Sequence, residues 1–138
     1  MRGREVLTLS GCIVTVGGSL LIKIDKDSPP EDYLALAMAI HELLNRLPVT
    51  MRTKERRGVR IEGGRVIDCD YTGPVLEEAI RDCKVIKTIP KEGAYKGIPV
   101  LVVPVVKDGE AIAAIGVVDT TMGIFSDLET ICRRKPSP

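Results

Sequence analysis

Apolar residues along the chain change their period several times, from two to about 3.6 and back, and each change marks an element. IVTVGGSLLIKI, residues 13–24, alternates on both sides of Gly17-Gly18 and is expected to form a hairpin, the glycines taking the positive φ of a tight turn. Tyr33, Leu36, Ala37, Ile40, Leu43, Leu44 and Leu47 then recur at helical spacing as far as Pro48, and Ser28 with Glu31 has the spacing of a capping box at the start. Residues 49–54 read as a strand, followed by a hairpin about Gly63-Gly64 in which Glu62 faces Arg65 and Ile61 faces Val66. Pro74 opens a short helix with Val75, Leu76, Ala79, Ile80 and Cys83 on one face, and KVIKTIP, residues 84–90, reads as another strand before a turn at Glu92-Gly93.

GIPVLVVPVVKDGEAIAAIGVVDTT, residues 97–121, is a hairpin about Asp108-Gly109 with apolar side chains in both alternating sets. An antiparallel hairpin normally leaves one face wet, so something must cover the second one. Lys107 is expected opposite Glu110, Val106 opposite Ala111, Val102 opposite Ile115 and Pro104 opposite Ala113. Pro104 donates nothing to a ladder, which puts residues 98–106 at a sheet edge or beside a bulge and 111–118 more centrally. Ser126 and Glu129 form a second capping box for a final helix, and residues 135–138 are expected as a frayed tail after a single domain spanning 1–134. Hairpins mixed with about three helices point to the α+β class, a mainly antiparallel sheet with helices packed on it.

Composition narrows the function classes. A formal charge of +1 gives no bulk attraction to nucleic acid or acidic membranes, and no apolar run is long enough to span a bilayer, so a cytoplasmic protein is expected. Gln is absent and Asn45 is the single asparagine, a bias that resembles thermostable proteins. Cys12, Cys69, Cys83 and Cys132 have no metal-site spacing and read as buried free thiols, with a Cys69–Cys83 bridge as the alternative.

No residue set carries a catalytic signature, and the balance is against an enzyme. His41, the one histidine, is a general base or, preferably, a helix-flank histidine with one hydrogen bond; Asn45 stands where a zinc protease helix needs its second histidine. RTKERRGVR, residues 52–60, offers Arg52, Arg57 and Arg60 as forks for a small anionic metabolite, against the alternative of a charged exposed edge. Nucleic acid is disfavoured by an aromatic content of 3%. DYTGP and VDTTMG supply Tyr71, Thr72, Asp119 and Thr120 as polar groups at strand ends, where helix caps are the commoner explanation.

LPVTMRTKERRGVRIEGG, DYTGPVLEEAI and AYKGIPVLVVPV…IAAIGVVDTT are similar to an uncharacterised archaeal family with members in methanogens, domain-of-unknown-function family 2111. That resemblance implies an archaeal protein and brings no activity, cofactor or catalytic residue with it. The last hairpin also resembles that of PAS, GAF and Cache sensor domains, which implies a sheet with helices on one face and a small-ligand pocket on the other. The expectation is therefore a homodimeric ligand-responsive module. Its pocket is expected between the sheet and segments 70–74 and 92–97, lined by Arg52, Arg57, Arg60, Tyr71, Thr72, Tyr95, Asp119 and Thr120. The alternatives are an interaction domain without a small-molecule site and, third, an enzyme using His41 or a cysteine.

Overall fold

The computed structural model describes residues 5–9, 12–16 and 21–119, with side chains over 21–119. Two strands, β1 (Glu5–Leu9) and β2 (Cys12–Val16), form a separate two-stranded sheet; β3 (Val49–Thr53), β4 (Gly58–Glu62), β5 (Arg65–Tyr71), β6 (Ile86–Thr88), β7 (Val100–Lys107) and β8 (Glu110–Val118) form the main one. Its order is β5-β4-β3-β8-β7-β6 and all its pairings are antiparallel. Helices α1 (Leu34–Leu43) and α2 (Pro74–Asp82) pack on it, so the chain is α+β. The expected final helix, the tail at 135–138 and Thr120 lie outside the described residues.

Directly opposed residues share a face, so the register assigns the layers. Met51 pairs with both Val59 and Ile115, and this face takes α1 through Tyr33, Leu34 and Ala37. Gly116 pairs with Thr50 and Val102, and the opposite face takes α2 through Val75, Leu76, Ala79 and Ile80. One helix on each face explains a central strand apolar on both sides: Ala111, Ile112, Ala113 and Ala114 of β8 are all buried. Coverage is best at β3 and β8 and thins toward β7. On β7, α1 does not reach far enough to bury Leu101, Val103 and Val105, and Val103 is 41% exposed.

Several elements depart from the sequence-based expectation. Cys12–Val16 pairs back onto Glu5–Leu9, Leu9 with Cys12, and residues 21–24 are not a strand, while Gly17-Gly18 lies outside the described residues: EVLTL and CIVTV are two β-prone runs separated by two residues, and the Lys23 amide donates to Asp32 O instead of to a ladder. Ser28 does not box with Glu31. Its hydroxyl accepts from the Asp25 amide at 2.8 Å, Thr53 donates to its carbonyl, and a 3-10 turn at Pro30–Asp32 precedes α1, with no side-chain cap. The buried stripe of α1 is Leu34, Ala37 and His41, one step round from the expected one, which leaves Leu43 83% exposed. The helix also stops well before Pro48, because Asn45 and Arg46 take left-handed φ of 55° and 62°.

The last hairpin holds its first two pairs, Lys107 with Glu110 and Val106 with Ala111, and then shifts. Val105 pairs with Ala113, so Ile112 is an extra residue, Val102 faces Gly116 and Pro104 faces Ala114. Pro104 does stand beside that bulge and past the end of β6, which pairs only with residues 100–102 of β7. Cys83 is not on the buried face of α2; it ends the helix at φ 49° as a free, exposed thiol. Cys69 is disulfide-bonded, so the Cys69–Cys83 bridge is not formed and Cys69 is not a free thiol.

Candidate functional site

The face under α2 does not close at the helix N-terminus. Gly116 lacks a side chain there; a Cβ would lie 2.6 Å from Thr50 Oγ1 and 3.3 Å from Val102 Cγ2, so glycine makes room for the side chains of the two neighbouring strands. The segment from Pro90 to Tyr95 crosses in front, held by the Gly97 amide donating to Pro90 O and by Gly93 at φ 91°. Between them is a half-open pocket with about 30 Å³ of room for water-sized occupants; its whole empty space, adjoining solvent included, is about 410 Å³. Its walls are mostly apolar: Pro48, Val75, Pro90, Val100, Val102 and Val118. Thr50, Tyr71, Glu92 and Tyr95 are its polar lining.

Tyr71 is the unusual member. It is 8% exposed, its hydroxyl has no hydrogen-bond partner among the described residues, and burial raises its pKa. A Cβ on Gly73 would lie 2.9 Å from that hydroxyl, which places it against the N-cap of α2. Tyr95, by contrast, is fully engaged at the pocket's rim. Its hydroxyl donates to Glu62 Oε2 at 2.8 Å and accepts from Arg60 Nε at 3.1 Å, and the guanidinium stands 5.1 Å from the ring centroid. Burial and the Glu62 carboxylate push the Tyr95 phenol well above its ordinary pKa, so it stays a donor.

The arginines singled out in the sequence do not gather at this pocket. Arg52 donates to Thr72 Oγ1 at 2.7 Å and to the carbonyls of Thr53 and Lys54, pinning the strand before α2 to β3. Arg57 is exposed, 3.9 Å from Asp70. Arg60 alone reaches the rim, through Tyr95, with Glu62 2.8 Å away. Asp119 is 6% exposed beyond β8, its amide donating to Pro99 O and its carboxylate 3.5 Å from Lys87 Nζ. The structure thus brings Tyr71 and Tyr95 together at one pocket, with Arg60 behind Tyr95, and spends Arg52 and Thr72 on each other.

Residues missed in the sequence are the apolar ones, Pro48, Val100 and Val118, and the glycines Gly73 and Gly116. The glycine of AAIGVV was legible as a close approach, but not what approaches it. His41 is wholly buried and carries two hydrogen bonds rather than one, from its Nδ1 to Leu47 O at 2.7 Å and from the Gly64 amide to its Nε2 at 2.9 Å. Both ring nitrogens are engaged, and neither faces the pocket lining. Among the described residues no group of three His, Cys, Asp or Glu could hold a metal ion, and no helix is long and apolar enough to cross a membrane.

Comparison with known proteins places the chain. No solved structure matches it. It is 46% identical over 116 residues to uncharacterized protein MJ0405 of Methanocaldococcus jannaschii, covering 83% of this chain and 88% of that one. The model of the family DUF2111 matches residues 40–121, which run from the end of α1 through β8 and so include α2 and the lining residues of the pocket. The chain belongs to that family, described as uncharacterized proteins conserved in archaea.

Proposed function

We propose that the protein is a ligand-responsive regulatory domain whose pocket, between the sheet, the start of α2 and the Pro90–Tyr95 segment, takes a small molecule. The observation that carries this reading is Tyr71, 8% exposed in a mostly apolar pocket, whose hydroxyl has no hydrogen-bond partner among the described residues. A ligand that pairs with this hydroxyl gains a hydrogen bond worth about 0.5–1.5 kcal/mol net. The response follows from the front wall. Tyr95 ties the segment to Glu62 and Arg60 on β4, so a ligand behind it favours the closed arrangement in proportion to its differential affinity for the two positions. A melting-temperature screen of small metabolites tests this: a pocket ligand at a hundred times its Kd stabilises by about 2.7 kcal/mol. Gly116→Ala, which puts a methyl against Thr50, is expected to erase the shift, and a screen in which no compound moves the wild-type transition counts against the reading.

A second reading, an interaction domain acting as a homodimer, has one observation in its favour. Leu101, Val103 and Val105 form an apolar strip on β7 that α1 leaves partly uncovered. Sedimentation of wild type against Val103→Lys separates the readings: a dimer lost in the variant supports the strip as an interface, and a monomer at all concentrations removes it.

A further inference from the structure

We infer that the pocket is built for a short-chain monocarboxylate, its head group at the first turn of α2 and at the Tyr71 hydroxyl, its tail along Val100, Val102 and Val118. This rests on the small-molecule reading above and gives that ligand a chemical class.

Three independent features converge on the head group. The first is the helix start. α2 has Gly73 as its N-cap and no side-chain cap; Pro74 carries no N–H, and the Glu77 amide is spent on Gly73 O. The amides of Val75 and Leu76 are left without an acceptor among the described residues, and a helix N-terminus favours negative charge. The second is Tyr71, 8% exposed, whose hydroxyl has no partner among the described residues, sits beside Gly73 and can donate to the same oxygens. The third is size. The whole pocket has about 30 Å³ of room for water-sized occupants, two or three of them at about 10–15 Å³ each, which limits the ligand to a small head group with a short tail.

The remainder of the pocket sets the rest of the molecule. Val100, Val102 and Val118 offer a valine floor with no donor to meet a polar tail, so the tail is apolar. Glu92 stands in the lining at the open side, and its charge works against a second carboxylate. Amides and a phenol distinguish a carboxylate from an alcohol because they supply donors only to oxygens able to accept several hydrogen bonds at once.

The test uses the 15N-labelled full chain titrated with butyrate, butyramide and 1-butanol, reading the amide resonances of Val75 and Leu76. Butyrate is expected to shift both saturably, with 1-butanol at least about tenfold weaker. Tyr71→Phe, folded by its own spectrum, is expected to weaken butyrate by about tenfold; should it not fold, Gly73→Ala, whose methyl presses on the same hydroxyl, takes its place. Equal affinity for butyrate and 1-butanol, or butyrate binding indifferent to the variant, overturns the carboxylate class and leaves the pocket reading standing. If no probe shifts any lining residue, the monocarboxylate falls, and the small-molecule reading is decided by the metabolite screen.

Discussion

His41 Nε2 accepts the Gly64 amide at 2.9 Å, so the last turn of α1 is fastened to the tight turn between β4 and β5. The other ring nitrogen donates to Leu47 O, and together the two bonds hold helix, turn and the approach to β3 in one arrangement. His41→Ala leaves a partly buried amide and a partly buried carbonyl unpaired and opens a cavity. A loss of about 3 kcal/mol is expected in urea unfolding. A variant as stable as wild type contradicts a structural role for the imidazole.

The Tyr33 hydroxyl is buried without a partner among the described residues, and burial drives its pKa far above the ordinary phenol value. Removing an orphaned polar atom relieves its desolvation cost, so Tyr33→Phe is expected to be neutral or to stabilise by up to about 1 kcal/mol. A clear fall in the urea midpoint would mean that the hydroxyl has a bonding partner, such as an ordered water.

A Cβ added to Gly58 would fall on the carbonyl oxygen of Met51, a backbone atom that cannot step aside. Gly58→Ala is therefore expected to cost about 3 kcal/mol or more by forcing β3 and β4 apart. Gly97 has open space around it and only its φ of 80° to protect, so Gly97→Ala should cost about 1 kcal/mol. Chemical denaturation of the two variants side by side checks the order.

Lys54 Nζ lies 3.0 Å from Glu110 Oε1, and this hydrogen bond holds the Glu110 carboxyl below the usual carboxylate range. A depressed carboxylate stabilises the fold at pH values above its unfolded pKa and loses that contribution as the pH falls through the folded one. Lys54→Ala is expected to return Glu110 to an ordinary titration, followed by the carboxyl carbon shift, and to flatten the stability curve slightly in that acidic window. An unchanged Glu110 titration would show the pair is not formed in solution.

Tyr95→Phe removes the hydroxyl that joins the pocket's front wall to Glu62 and Arg60. Amide exchange over residues 92–97 is expected to quicken several-fold while the strands stay protected, since one charge-assisted hydrogen bond is worth about 1.5 kcal/mol. Uniformly faster exchange would instead place Tyr95 in the global core.

Sequence patterning was most reliable where local chemistry decides the conformation. Gly63-Gly64 and Asp108-Gly109 take positive φ at two-residue turns, and the pairs that close them, Glu62 with Arg65 and Lys107 with Glu110, follow from turn length alone. It failed where tertiary packing chose between equal local options. Period alone could not say which stripe of α1 would be buried, and the winning stripe includes His41 because Leu47 and Gly64 supply its partners. The Ile112 bulge shifted every pair beyond Val106, a one-residue event with no turn residue to announce it. The place of the pocket was legible from two loops meeting a two-sided hairpin. Its polar content was not, because Arg52 finding Thr72, and Tyr71 finding nothing, depend on distances across the fold.

Beyond the end of β6, the outer side of β7 carries Pro104, and the strand next to it is bent by an extra residue. An incoming chain that tried to lengthen the sheet there would meet a gap in the donors and a mismatched twist. Molecules can therefore crowd and collide through exposed valines on this flank without seeding fibrils, and contact there must be made by side chains rather than by a shared backbone ladder.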